Sequence, residues 1–164
     1  SVAERCWRML AVDELRLQDP RQAHAAELGP GQAHPGLRLS MAFHALFCRL
    51  ATALGADGIL VVPEFFHTAV WFSLAYRYVD PTMQGLLCAA QRDLVAAPSE
   101  LRACSWAFER GEVTRGGAVF RWPTEAQVHP LAPALRELLD DPERGAWEER
   151  AFAEARFVRA SRCA

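Results

Sequence analysis

Lysine and asparagine are absent from this chain, and isoleucine occurs once, at Ile59. All 18 basic side chains are therefore arginine. A GC-rich coding sequence produces that bias, and a selected preference for bidentate Arg contacts is the alternative reading. The same bias mutes propensity arguments, because Ala and Arg are then plentiful through codon supply. Neither sign of charge is in excess. The 18 basic and 20 acidic side chains leave a net charge of -2, which supplies no long-range pull toward nucleic acid or an acidic membrane. Uninterrupted apolar runs of spanning length are also missing. The most apolar stretch is broken at His67, Thr68 and Ser73 and preceded by Pro63-Glu64, short of the roughly 18 residues a membrane span needs.

Cysteine is sparse and unpatterned. Cys6, Cys48, Cys88, Cys104 and Cys163 are widely spaced and odd in number, with no CxxC. A small secreted disulfide scaffold would be denser, so reduced thiols in the cytoplasm or nucleus are expected. The chain opens Ser1-Val-Ala-Glu-Arg with no apolar core of a signal peptide, and without an initiator Met, as an excised or processed domain would. Neither a P-loop nor a GxSxG motif is present. Gly111, Gly116 and Gly117 lack the strand–GxGxxG–helix context and read as hairpin or loop glycines.

What is present predicts a mainly α, compact multi-helix domain of five to seven helices over residues 1–164, with a small β-hairpin around 101–122. At 164 residues and 51% apolar, the chain can bury a substantial core. Residues 1–28 read as a docked N-terminal helical segment: helical spacing over Val2–Leu17, then Asp19-Pro20 as cap and first turn of a second helix. Residues 29–39 form a Gly/Pro-rich loop. Ser40 reads as the cap of a helix ending at Leu54, with Phe43, Leu46, Phe47, Leu50 and Leu54 on one stripe. Gly58-Ile-Leu-Val-Val is a strand or a buried connector. Asp80-Pro81 opens a helix to about Ala97, Pro133 a short helix through Leu139, and Asp141-Pro142 a last one. The three Asp-Pro pairs are evenly spaced, but the segments between them do not align and form no repeat. Leu101–Phe108 fits either a short helix or the first strand of the hairpin, with Ala118–Trp122 as the second strand.

The stretch Met41–Tyr78 organises the rest. Between Pro63 and Tyr78 the pattern predicts a helix apolar on nearly every side, either central or with a surface given to a partner. Phe65, Phe66, Trp71, Phe72, Tyr76 and Tyr78 crowd into fourteen residues. Aromatic side chains anchor interfaces at low entropic cost, so these six are the candidate interface and Trp71 the candidate anchor.

Candidate chemistry is thin. His44 and Cys48 stand four apart on a predicted helix, an acceptable spacing for two zinc ligands. A site would need further ligands, with His67, Cys88 or Cys104 available, and core packing of both residues is the plainer reading. Glu64 and His67 make one Glu-x-x-His, whereas a bundle di-metal site needs two. Cys–His nucleophilic chemistry through His67 or His129 has no supporting motif. No metal and no cofactor are therefore expected. Helices followed by a hairpin carrying Arg110, Arg115 and Arg121 imitate a winged helix, but the would-be recognition helix is apolar and its Arg77 sits at the wrong end. The reading that follows is a protein–protein interaction or assembly domain, economically a homodimer. A winged-helix-like nucleic-acid-binding domain and an enzyme of unknown reaction are the alternatives, and catalysis ranks below binding.

Overall fold

The computed structural model describes residues 6–13, 15–21 and 28–160. In chain order its elements are β1 (Met9–Val12), α1 (Ser40–Ala53), β2 (Gly58–Val61), α2 (Phe66–Phe72), β3 (Arg77–Tyr78), α3 (Pro81–Leu94) and α4 (Leu101–Glu109). They continue as β4 (Val113–Arg115), β5 (Ala118–Val119), β6 (Gln127–Pro130), α5 (Pro133–Leu139), α6 (Pro142–Glu154) and β7 (Phe157–Arg159). The chain is helix-rich as predicted, but it carries two modest sheets rather than one hairpin.

The first sheet has the order β1-β2-β6-β3. β1 and β2 are parallel, so the chain between them must cross over, and α1 lies in that crossover. β6 runs antiparallel to both β2 and β3, with Ile59 opposite His129 and Val61 opposite Gln127. Side chains alternate across a strand, so these four share one face. Ile59, Val61 and Tyr76 pack there with Ala51, Phe47 and Cys48 of α1. The opposite face carries Val128 against Leu135 and Leu139 of α5. α1 is thus the roof over the face that bears His129.

A second core joins α2, α3, α4 and the β5-β4-β7 sheet. Phe66, Phe108, Trp122 and Phe157 form its aromatic centre, with Phe108 5.3 Å from Trp122 and 6.2 Å from Phe157 between ring centroids. α6 closes against α3 at Gly85, where an added Cβ would collide with the Glu148 carbonyl oxygen and sit 2.7 Å from the Ala151 Cβ. Arg77 ties this half to the first sheet. Its guanidinium donates to Asp140 and to both carboxylate oxygens of Glu148 at 2.8–2.9 Å.

Several expectations give way to tertiary contacts. Met9–Val12 is a strand where helical spacing was predicted, because Leu10 and Val12 fill the sheet face beside Ile59 and Val61. Asp57 fastens it there, accepting from the Arg8 amide at 2.8 Å and donating its own amide to the Arg8 carbonyl at 2.7 Å. Most of the helix predicted after Pro20 lies outside the described residues. Ser40 does not cap α1: it is the first helical residue, and no side chain caps that end. The helix predicted from Pro63 to Tyr78 spans only Phe66–Phe72. The Ser73 hydroxyl donates to the Val70 carbonyl, competing with helix propagation, and Arg77 and Tyr78 are drawn into pairing with β6. Leu101–Glu109 is helical, since Leu101, Cys104, Ser105 and Phe108 make one buried stripe. The hairpin is shorter than predicted and turns at Gly116-Gly117, with φ of +59° and +82° as a two-residue turn of this kind demands.

Candidate metal centre

Helical spacing puts His44 and Cys48 of α1 one above the other, with Cys48 Sγ 3.6 Å from His44 Nε2. The sheet supplies a third group. His129 rises from β6 beneath α1, its ring edge-on to that of His44 at 4.7 Å between centroids. One ligand atom from each of the three lies within 4.8 Å of the others. Around a tetrahedral zinc ion with bonds of about 2.0–2.3 Å, ligand atoms stand about 3.3–3.8 Å apart. The Cys48–His44 separation already fits, and a contraction of about 1 Å closes the set. All three residues are half-buried, so the cluster lies at the rim of the core and remains reachable.

Neighbouring groups set the protonation. His129 Nδ1 lies 2.6 Å from the Ala75 carbonyl oxygen. A carbonyl only accepts, so Nδ1 carries a proton and Nε2 is the nitrogen left for a metal. His44 Nδ1 is 3.1 Å from the Tyr76 hydroxyl. With Nδ1–H donating to that oxygen, Nε2 again carries the lone pair, on the side facing Cys48. Both outer nitrogens are therefore engaged in the way metal-bound imidazoles usually are. Burial, and then the neighbouring His129, lower the pKa of His44, keeping it neutral. Burial pushes the Cys48 thiol up, so a metal must displace its proton and binding strengthens as pH rises. Burial, followed by the nearby Cys48, pushes Tyr76 up to about 12, so it stays a phenol at every working pH.

The backbone makes room for this. At Gly58, opposite Pro130 in the β2–β6 register, an added Cβ would sit 2.7 Å from the His129 carbonyl oxygen and 2.9 Å from Leu135 Cδ2. Glycine is what lets β6 approach closely enough to bring His129 under α1.

The other ligands considered from sequence do not join. His67 is buried in the second core, with its Nδ1 2.9 Å from the Ser105 hydroxyl, and Cys104 donates to the Leu94 carbonyl. Cys88 is exposed on α3. Of the six interface candidates, Phe66, Tyr76 and Tyr78 are buried in the chain's own cores, Phe65 and Phe72 are half-buried, and Trp71 is exposed. The three arginines surround the hairpin: Arg110 over the Trp106 ring and 3.9 Å from Glu112, Arg115 over Phe120, and Arg121 on the Glu109 carbonyl. His44 and Cys48 were visible in the sequence as a pair. His129 was raised only as a base for Cys–His chemistry and not as their co-ligand, because a strand pairing with β2 brings it in and no local pattern announces that pairing.

No family model matches the chain, and no curated protein or solved structure is significantly similar to it. The residues alone carry the reading. Among the described residues no helix is long and apolar enough to cross a membrane.

Proposed function

We propose that this protein binds one zinc-type divalent ion through His44, Cys48 and His129, and that it is an enzyme of the metal-assisted hydration or hydrolysis class. One observation carries the reading: three ligand atoms converge while the outer nitrogens of both imidazoles are already engaged by Ala75 and Tyr76. One thiolate and two imidazoles suit zinc, whereas calcium and magnesium ask for oxygen donors. Three protein ligands leave a position for an exogenous group, the pattern of catalytic sites, while structural zinc sites close with four. A bound ion supplies a water acidic enough to act as hydroxide near neutral pH. No carboxylate joins the three-residue cluster among the described residues. Tyr76 and the Ala75 carbonyl orient the two rings.

Elemental analysis after zinc reconstitution and desalting tests this directly. One zinc per chain is expected, falling well below that in His44→Ala, Cys48→Ala and His129→Ala. Hydrolysis of an activated ester should appear with the metal and vanish with a chelator. Substoichiometric zinc in the reconstituted wild type would remove the reading.

Assembly through an apolar surface is the second reading, favoured by Met41, Leu46 and Leu50 of α1 and Leu54 at its C-cap, all exposed, with Trp71 and Leu74 exposed at the end of α2. Sedimentation equilibrium from micromolar to about 100 μM decides it, and a monomer throughout excludes a homodimer.

A further inference from the structure

We infer that the metal site acts on a small organic acid whose carboxylate pairs with Arg49. The inference rests on the metal reading above and names the substrate class for that site. An open depression of about 400 Å³ borders the centre on the outer side of α1, lined by Cys48, Arg49, Thr52 and Ala53. It is shallow and open to solvent, so a molecule resting there is held on one side only. Cys48 is common to the depression and the ligand set, so a molecule seated there reaches the metal from the thiolate side. Arg49 is the one formally charged side chain between Ser40 and Ala56 and makes no ion pair among the described residues.

The charges agree. A divalent ion with one thiolate retains one positive charge, and Arg49 adds a second at the edge of this largely apolar depression, whose lining contains no acidic side chain. Guanidinium presents a planar fork that matches a carboxylate in two parallel hydrogen bonds. Thr52 spends its hydroxyl proton on the Cys48 carbonyl at 2.8 Å, leaving its oxygen as an acceptor and Arg49 as the donor to the acid. A phosphate dianion fits less well. Arg49 lies in the second half of α1, toward the carbonyl end of the helix dipole, which opposes higher negative charge. The acid group is held on Arg49 while a second polar group of the same molecule meets the metal.

Hydroxamates with and without a carboxylate tail separate the two contacts. Cobalt-substituted protein is titrated with succinate monohydroxamate, with neutral butanohydroxamate of similar length, and with inorganic phosphate, following the cobalt absorption bands. Both hydroxamates should bind, the carboxylate one about five- to tenfold tighter. Arg49→Gln should erase that advantage and leave butanohydroxamate unchanged, while Arg49→Lys keeps part of it. Equal affinity of the two hydroxamates in wild type, or an advantage that survives Arg49→Gln, overturns the inference and leaves the metal site intact. Tighter binding of phosphate than of the carboxylate probe overturns the substrate class. Absence of thiolate-to-cobalt charge transfer defeats the metal reading itself, and the inference with it.

Discussion

α1 and α3 are both fourteen residues long, and they are held in opposite ways. α3 buries Met83, Gly85, Leu86, Leu87, Ala89 and Ala90, starts at Pro81, and is capped by the Asp80 carboxylate on the Thr82 amide. α1 buries Ala51 alone, has no side-chain cap, and shows Met41, Leu46 and Leu50 to the outside. Length does not distinguish them, and α1, the less buried of the two, is the more apolar in sequence. What differs is who covers the apolar face: α3 has α6 against it, while the outer side of α1 has no neighbour among the described residues. The lightly held helix is the one that carries two of the three candidate ligands. Functional segments tend to come from the low-stability end of a fold, because groups that exchange ligands cannot be locked into a core.

The contrast breaks most visibly at Gly85. Gly85→Val should cost about 3 kcal/mol or more, since the branched side chain meets α6 backbone that cannot move aside, and urea unfolding would read it as a lower midpoint. Gly145→Ala, with open space around its Cβ, should fall within about 0.5 kcal/mol of wild type.

Acid should act on the tightly packed half. Burial, aided by the Arg102 charge, lowers the pKa of His67 from 6.5 to about 4. The folded state therefore favours the neutral ring. Its contribution is full above pH 6.5 and is lost as pH falls from 6.5 through about 4, on the order of 3 kcal/mol in all. Denaturation at pH 7.5 and pH 4.5 should show a loss that His67→Gln reduces. An unchanged pH dependence in that variant would remove His67 from the account.

Zinc should act on the loosely held half. At a hundredfold excess over its dissociation constant, a ligand bound only to the folded state adds about 2.7 kcal/mol. Amide exchange should slow across residues 40–53 and least across 81–94, and His129→Ala should abolish the difference. Equal protection of both helices would mean that α1 is not the element the metal holds. The smallest effect concerns the caps: Asp80→Ala should cost about 1 kcal/mol, and Ser40→Ala almost nothing.

What was legible in the sequence follows the same division. The starts of α3, α5 and α6 were readable because local chemistry sets them: Asp80 and Asp141 cap, and Pro81, Pro133 and Pro142 begin the first turn. The packing stripe of α1 was readable only in part. Phe47 packs into the core with Phe43 half-buried beside it, but Leu46, Leu50 and Leu54, assigned to the same stripe, are exposed. Helical spacing identifies a face without saying whether anything covers it. β6 was not readable at all. Gln127 is fully buried in it, with its amide donating to the Ala69 carbonyl, so the strand breaks the apolar alternation that would reveal it. The candidate site was therefore two-thirds visible, and the missing third depended on a long-range pairing.

One short stretch of backbone stands behind both histidines. The carbonyl of Ala75 and the phenol of Tyr76 belong to adjacent residues, and Arg77, next in the chain, is clamped by Asp140 and Glu148. The two rings, carried by α1 and by β6, are thus oriented against one common reference. A displacement of that dipeptide would disturb the orienting hydrogen bonds of both imidazoles at once. Cys48, on the same helix as His44, touches neither residue of that dipeptide in a hydrogen bond and is the ligand left to adjust.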